Sequence, residues 1–384
     1  MLIVKLKPKK ETPVIHGHPW IFSGAIDKIQ GSPEEGSLCR VIDAKGKFIC
    51  QGFYNPYSQI AVRVLTTGKE TIDRSFFEKR ISRAVRMRRS LIPADTTCYR
   101  LVHAEGDLLP GLVVDLFNNV LVMQFLCTGM DEIKADIVSL FQNMFPGHDI
   151  HERSDMKSRS SEGLRPLSGP LSGAMEKGEI MVSENGIEFL VDVLTGDRTG
   201  FYLDHRCNRL KLKSMASGKE ILDLYSYTGV YALHALKGGA KSVVSVDSSS
   251  PAQAVARKNM EINKIAPFVW KHVRDDVARF LQDDRSLYDI IVCDPPAFGK
   301  DSDELEKILT LAIERLKPSG ILFSTTYLGP QFSALDFYRA VQQASDNTGR
   351  GIRILEPLHE GPDFPIQPSH PQGIHLFGHI LYAD

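Results

Sequence analysis

Residues Glu220–Leu236 read EILDLYSYTGVYALHAL. Ile221, Leu222 and Leu224 surround Asp223 as a short apolar strand. The turn Tyr225, Ser226, Tyr227, Thr228, Gly229 then leads into a helical stretch that runs to about Lys237. A glycine in such a turn lets the backbone approach a ligand, and the helix start offers free N–H groups. The same alternation continues downstream. SVVSVDS (242–248) precedes a helix from Pro251 to Asn263, then FVWKHVRDD (268–276), a helix, and YDIIVCDPP (288–296). A helix at 303–316, GILFSTT (320–326), a helix at 332–346 and GIRILEPL (351–358) follow, and IHLFGHILY (374–382) is expected as an antiparallel edge strand. Short apolar strands alternating with helices define a parallel, doubly wound α/β sheet.

Ligands of such sheets bind beyond the carboxyl ends of the strands. There the sequence places Asp223 with its turn, Asp247-Ser248, Asp275-Asp276 and Asp294-Pro295-Pro296-Ala297-Phe298. A single Asp after a strand is commonly a helix cap. Four in order on successive strands form a set: Asp247 is placed for a ribose diol and Asp276 for an adenine amino group. The turn is not G-x-G-x-x-G, so no diphosphate cradle is written there and a dinucleotide is disfavoured. An adenosine ligand without phosphates fits, and S-adenosylmethionine is the expected cofactor.

Upstream, the first 70 residues read as short strands punctuated by Gly, Pro and Asn, with a hairpin turn near Asp43–Lys47. Residues 72–92 read as a helix, 98–128 as strands, and about 130–145 as a helix. Residues 150–178, rich in Ser, Gly and charge, read as a long irregular link. The expected division is a small all-β domain at 1–70, an α+β domain at 71–184 and a Rossmann-like domain at 185–384.

The 384 residues are 42% hydrophobic and 24% charged, with net charge −1. By segment this becomes +4 for residues 1–70, −2 for 71–185 and −3 for the remainder. Residues 74–89, RSFFEKRISRAVRMRR, hold seven basic residues and one Glu, with Phe76, Phe77, Ile81, Val85 and Met87 at helical spacing. Such a basic outer face is either solvated or contacts phosphates. Six scattered cysteines (Cys39, Cys50, Cys98, Cys127, Cys207, Cys293) argue against a zinc site or disulfide framework and suit a reducing cytoplasm. No metal is expected. No apolar run reaches membrane-spanning length, and MLIVKLKPKK lacks the features of a secretory signal.

Several segments together carry a family resemblance. They are Gly17–Ala25 (GHPWIFSGA), Leu109–Asp115 (LPGLVVD), Thr199–Arg206 (TGFYLDHR), Ser226–Gly229 (SYTG), Val246-Asp247, Asp294–Phe298 (DPPAF) and His370–Gly373 (HPQG). Over essentially its whole length the chain resembles the bacterial 23S rRNA large-subunit methyltransferases with an N-terminal PUA domain, the cytosine-5 type. Thr199–Arg206 is similar to that family's TG(F/Y)YLDQR element. The resemblance implies a class I methyltransferase domain preceded by a PUA domain and a middle domain. It places Thr199, Phe201, Asp204 and Arg206 in a lead-in beside the cofactor's amino-acid end, with Asp223 and the Ser226–Gly229 turn beneath the methionine moiety. Asp247 then takes the ribose, Asp276 the adenine, and Asp294 borders the methyl-transfer cleft. The implied partner is RNA, 23S rRNA or a large-subunit precursor. A homodimer is compatible with it, and no membrane is involved.

Cytosine carbon 5 is a poor nucleophile, and enzymes that methylate it first add a cysteine thiolate at carbon 6. The family pattern T-F-S-C-S-G aligns with Ser324–Gly329 here and puts Tyr327 at the cysteine position. Cys293 precedes Asp294 on a strand, so its side chain is expected to face away. FSTTYLG also resembles F-S-N-N-x-R-G of guanine-N7 rRNA methyltransferases, which need no covalent catalyst. Asp294, Pro295, Phe298 and Tyr327 are therefore the expected catalytic surroundings. A methyltransferase without covalent catalysis and a catalytically silent RNA-binding factor are the alternatives to 5-methylcytosine formation.

Overall fold

The computed structural model describes residues 2–32, 36–175, 177–296, 302–329 and 331–384. Ala297 and Phe298 lie outside the described residues. The chain forms two compact units. One comprises residues 1–180, 192–201 and 362–373; the other comprises 181–191, 202–361 and 374–384. The expected α/β architecture is present.

The first unit holds a six-stranded sheet ordered Trp20–Ile21, Val62–Thr66, Phe48–Tyr54, Leu38–Ile42, Leu2–Leu6, Ile26–Gln30. Alternating side chains put Val4, Leu6, Val41, Cys50 and Val62 into one apolar core. The hairpin turn forms as read: Asp43 Oδ1 accepts from the Lys45 and Lys47 amides, and Gly46 takes φ +85°. His370, from the C-terminal HPQG run, packs on Trp20 at 4.3 Å.

A second sheet in this unit is ordered Leu167–Ser172, Asp149–Ser154, Val120–Phe125, Leu112–Phe117, Cys98–His103. This corrects the expectation of an irregular link at 150–178. Leu167–Ser172 pairs antiparallel with Asp149–Ser154 at the sheet edge. Its sequence, LSGPLS, hides the strand because an edge tolerates Gly and Pro that a central strand would not.

Helix Arg74–Leu91 is capped by Asp73, which accepts from the Phe76 amide at 3.0 Å. Phe76, Phe77, Ile81, Ala84 and Val85 are buried as the periodicity requires. Arg88 is not on the outer face as the sequence reading had it. It is fully buried and forked onto Asp107, with further bonds to the Arg100 and Asp363 carbonyls.

The second unit is built on a seven-stranded sheet ordered Trp270–Arg274, Ser242–Asp247, Glu220–Leu224, Tyr288–Cys293, Leu316–Tyr327, Leu376–Ala383, Ile352–Leu358. The first five are mutually parallel, and Leu376–Ala383 is antiparallel to both its neighbours. The last strand is therefore not an edge, contrary to expectation. Its nearly continuous burial suits an inner position, whereas Ile352–Leu358 carries Arg353, Glu356 and Pro357 and is mostly exposed. The strand register sets Asp223 opposite Ser245 and Val292, and Cys293 opposite Ser324. The carboxyl ends of the central strands thus converge on one edge.

Candidate active site

At that edge the first loop is bent by three left-handed residues: Tyr225 (φ +57°), Tyr227 (φ +47°) and Gly229 (φ +73°). For a tyrosine this conformation costs about 1–2 kcal/mol, so the surrounding structure must hold it. Asp247 does so, accepting from the Tyr227 amide at 2.8 Å and the Ser249 amide at 2.7 Å. Gly229 is also sterically required, because a Cβ there would lie 2.5 Å from Trp270 Cζ2. Ser226 closes the turn through its carbonyl, which accepts from the Gly229 amide. Sequence reasoning missed the two left-handed tyrosines, since nothing in Y-S-Y-T marks them.

Asp223 sits beneath this loop at 1% exposure. Its Oδ2 faces Ser245 Oγ at 3.4 Å, while Oδ1 is buried without a hydrogen-bond partner among the described residues, as is Thr228 Oγ1. Burial, reinforced by the negative charges of Asp294 and Asp247, pushes the Asp223 carboxyl up to about 8. Buried polar atoms without partners are rare in a folded chain and call for an explanation. A cationic, hydrogen-bonding ligand above the loop supplies one, and the sulfonium and amino groups of S-adenosylmethionine are of that kind.

The other strand-end acids have visible local duties. Asp276 is exposed and caps helix Val277–Asp283, accepting from the Arg279 amide at 3.0 Å. Ser248 is exposed at the end of the Ser242–Asp247 strand, its carbonyl facing Arg274 Nε at 3.4 Å. Among the described residues, Asp247 retains one lone pair on each oxygen after its two amide bonds. Helix capping and ligand binding are thus not exclusive for these residues.

Beyond the fourth strand, Pro295 is buried and the Asp294 side chain is 17% exposed. Asp294 Oδ1 accepts from Thr325 Oγ1 at 2.5 Å, and its Oδ2 lies 3.2 Å from His205 Nε2. Tyr327 ends the fifth strand and donates to Asp204 Oδ2 at 3.0 Å; its oxygen lies 3.1 Å from His205 Nε2. His205 Nδ1 meets the Tyr231 hydroxyl at 2.9 Å. Asp204, Asp294 and Tyr327, all named from the sequence, are therefore brought together. His205 and Tyr231 complete the cluster and were not singled out: His205 is marked only by standing where the TG(F/Y)YLDQR element has Gln, and Tyr231 carries no local signal. Arg206 is buried at the start of helix Arg206–Met215. Thr199 and Phe201 belong to the first unit, where Thr199 Oγ1 donates to Asp115 Oδ2 at 2.6 Å.

Cys293 lies in the apolar core with Leu222, Leu224 and Leu322, and burial drives its thiol far above the usual range. It is held as a thiol and is not poised as a nucleophile.

Residues 4–67 match the family described as a PUA-like domain, and residues 162–373 match that described as S-adenosylmethionine-dependent methyltransferase. The chain belongs to the S-adenosylmethionine-dependent methyltransferase family, and S-adenosylmethionine is its cofactor. It is 39% identical over 389 residues, covering 98% of each chain, to the ribosomal RNA large subunit methyltransferase I of Pseudoalteromonas translucida. It is 36% identical over 381 residues, 96% of each chain, to the protein of the same name from Escherichia coli O9:H4. A solved structure described as a SAM-dependent methyltransferase from Streptococcus mutans aligns over the whole of both chains with TM-score 0.86 and 21% identity. Another, a methyltransferase complexed with SAH, aligns equally completely at TM-score 0.87 and 20% identity. These two likenesses establish the fold.

Proposed function

We propose that this chain methylates a nucleobase of large-subunit ribosomal RNA, 23S rRNA or its precursor particle, without forming a covalent enzyme–RNA intermediate. Full-length similarity to proteins named ribosomal RNA large subunit methyltransferase I carries the RNA assignment. In this assignment residues 1–70 form a PUA-like RNA-binding domain, 71–184 a middle domain and 185–384 the methyltransferase domain. The protein works in the cytoplasm, and among the described residues no helix is long and apolar enough to cross a membrane.

The bound cofactor supplies an electrophilic methyl group. Asp223, Tyr225, Ser226, Thr228 and Gly229 hold its methionine end together with the lead-in residues Asp204 and Arg206. Asp247 and Ser248 take the ribose, and Asp276 the adenine. Asp294, Pro295 and Tyr327 border the target base, which is flipped out of its stack to reach them. Tyr327 occupies the position of the cytosine-5 family's cysteine, and the buried Cys293 thiol offers no replacement. The base must therefore provide its own nucleophilic atom. The unsatisfied Asp223 and Thr228 oxygens weigh against a silent RNA-binding factor, since a chain released from cofactor binding has no reason to keep them.

The test is transfer of labelled methyl from S-adenosylmethionine to ribosomal RNA. Label is expected in the large-subunit RNA, and Asp247→Ala is expected to abolish it. Tight cofactor binding without transfer to naked RNA or to precursor particles would leave the silent factor as the answer. Sedimentation of the active fraction reads whether a homodimer is involved.

A further inference from the structure

His205 is fully buried, with 0% side-chain exposure, yet both its ring nitrogens are engaged. Nε2 lies 3.2 Å from Asp294 Oδ2, a carboxylate oxygen that can only accept, while Nδ1 lies 2.9 Å from the Tyr231 hydroxyl. That assigns the proton to Nε2, which donates to Asp294 Oδ2 and Tyr327 Oη. Thr325 fixes the other Asp294 oxygen. His205 is where the chain departs from the TG(F/Y)YLDQR pattern, and Tyr327 is one of five departures (Ser324, Thr325, Thr326, Tyr327 and Leu328) from T-F-S-C-S-G; the fold puts His205 and Tyr327 in contact.

An ionised carboxylate can only accept hydrogen bonds. Asp294 is anchored on both oxygens and still reaches the solvent-accessible side, so it presents acceptor lone pairs and nothing else. A base nitrogen without hydrogen, such as guanine N7, is itself an acceptor and would meet Asp294 lone pair to lone pair. An exocyclic amine or a ring imino N–H matches it.

We propose that Asp294 receives the proton of a nucleobase N–H at the methylated nitrogen, and that His205 is the positioning residue that aims Asp294. This rests on the RNA assignment above. The nitrogen lone pair forms the new N–C bond while the electrons of the broken C–S bond stay on sulfur. The N–H electrons stay on nitrogen, the proton passes to an Asp294 oxygen, and water then takes it. His205 touches no substrate; its N–H fixes the carboxylate rotation before the reaction.

Two measurements test this on the full-length protein. The first is nucleoside mass spectrometry of the methylated RNA. A base methylated on an exocyclic amine or imino nitrogen is expected. A 5-methylpyrimidine or 7-methylguanine product overturns the inference while leaving the RNA assignment standing, and no methyl group in any RNA overturns both. The second compares His205→Ala with His205→Gln, which keeps an N–H donor. The Ala variant is expected to lose kcat by about 100-fold, with Gln restoring most of it. KM for RNA and calorimetric affinity for S-adenosylhomocysteine are expected to stay within about twofold, the latter read without turnover. Equal losses in both variants, or parallel losses of S-adenosylhomocysteine affinity and melting temperature, assign His205 a purely structural role and overturn the proposal.

Discussion

Asp115 and Asp223 are two carboxylates of nearly equal burial, one in each unit, at 0% and 1% exposure. Asp115 accepts from Arg100 at 2.7 and 2.8 Å and from Thr199 at 2.6 Å. Asp223 has a long contact to Ser245, a backbone contact from Ala232, and one oxygen with no partner at hydrogen-bond geometry among the described residues. The first charge is consumed inside the fold and holds it together. The second carboxyl is held protonated by burial beneath a strained loop, where a cationic ligand can draw it into its ionised form. Burial alone therefore says little about a polar residue's role; what matters is whether its hydrogen-bonding capacity has been used.

Removing the partner of the consumed charge should have the largest effect. Arg100→Ala strands Asp115 in the interior and is expected to cost about 3 kcal/mol of stability. The melting temperature should fall while affinity for S-adenosylhomocysteine holds. An unchanged melting temperature would erase the distinction between the two carboxylates.

Asp223→Asn should do the reverse. It is expected to weaken S-adenosylmethionine binding about 10- to 100-fold, the worth of a charge-assisted hydrogen bond, with little loss of fold. It also carries a pH signature. The native Asp223 keeps its proton up to about 8, whereas an unfolded Asp releases it near the ordinary value of 3.8. Its contribution to the ligand-free protein is thus complete below about pH 4, declines as pH rises toward 8, and levels off above. Thermal melts should show the Asn variant gaining on the parent across that window; parallel curves would show that Asp223 is ionised in the free protein.

The smallest effect is expected on the basic helix. Lys79, Arg83 and Arg86 are exposed at helical spacing and have no acidic partner within 4 Å among the described residues, unlike Arg74 and Arg88. Each replaced singly by Ala should leave the melting temperature within about a degree and reduce the salt slope of RNA binding by about 1. A salt slope unmoved by all three would make this face merely solvated.

The strand-end acids were legible in the sequence because they follow apolar strands at regular intervals, and a parallel sheet must gather them at one edge. The hairpin at Asp43–Lys47 and the buried face of helix Arg74–Leu91 were legible for the same reason: their signals are local and periodic. The Leu167–Ser172 strand was not, since an edge strand with Gly and Pro has a loop's composition. Nor was the burial of Arg88, because which basic residue of a helix is internal depends on Asp107 and a carbonyl 275 residues away. The His205–Tyr327 contact joins residues 122 apart. The resemblance pointed to Tyr327 as the residue expected at the cysteine position, but nothing in the sequence announced that His205 would lie beside it.

The central claim, that methyl transfer proceeds here without a covalent enzyme–base intermediate, is tested most directly with RNA containing 5-fluorocytosine. Incubated with this protein and S-adenosylmethionine, then denatured, the RNA is predicted to run free of protein. A denaturation-stable protein–RNA adduct would contradict that claim and require a nucleophile in the cleft, with Cys293 the first residue to replace.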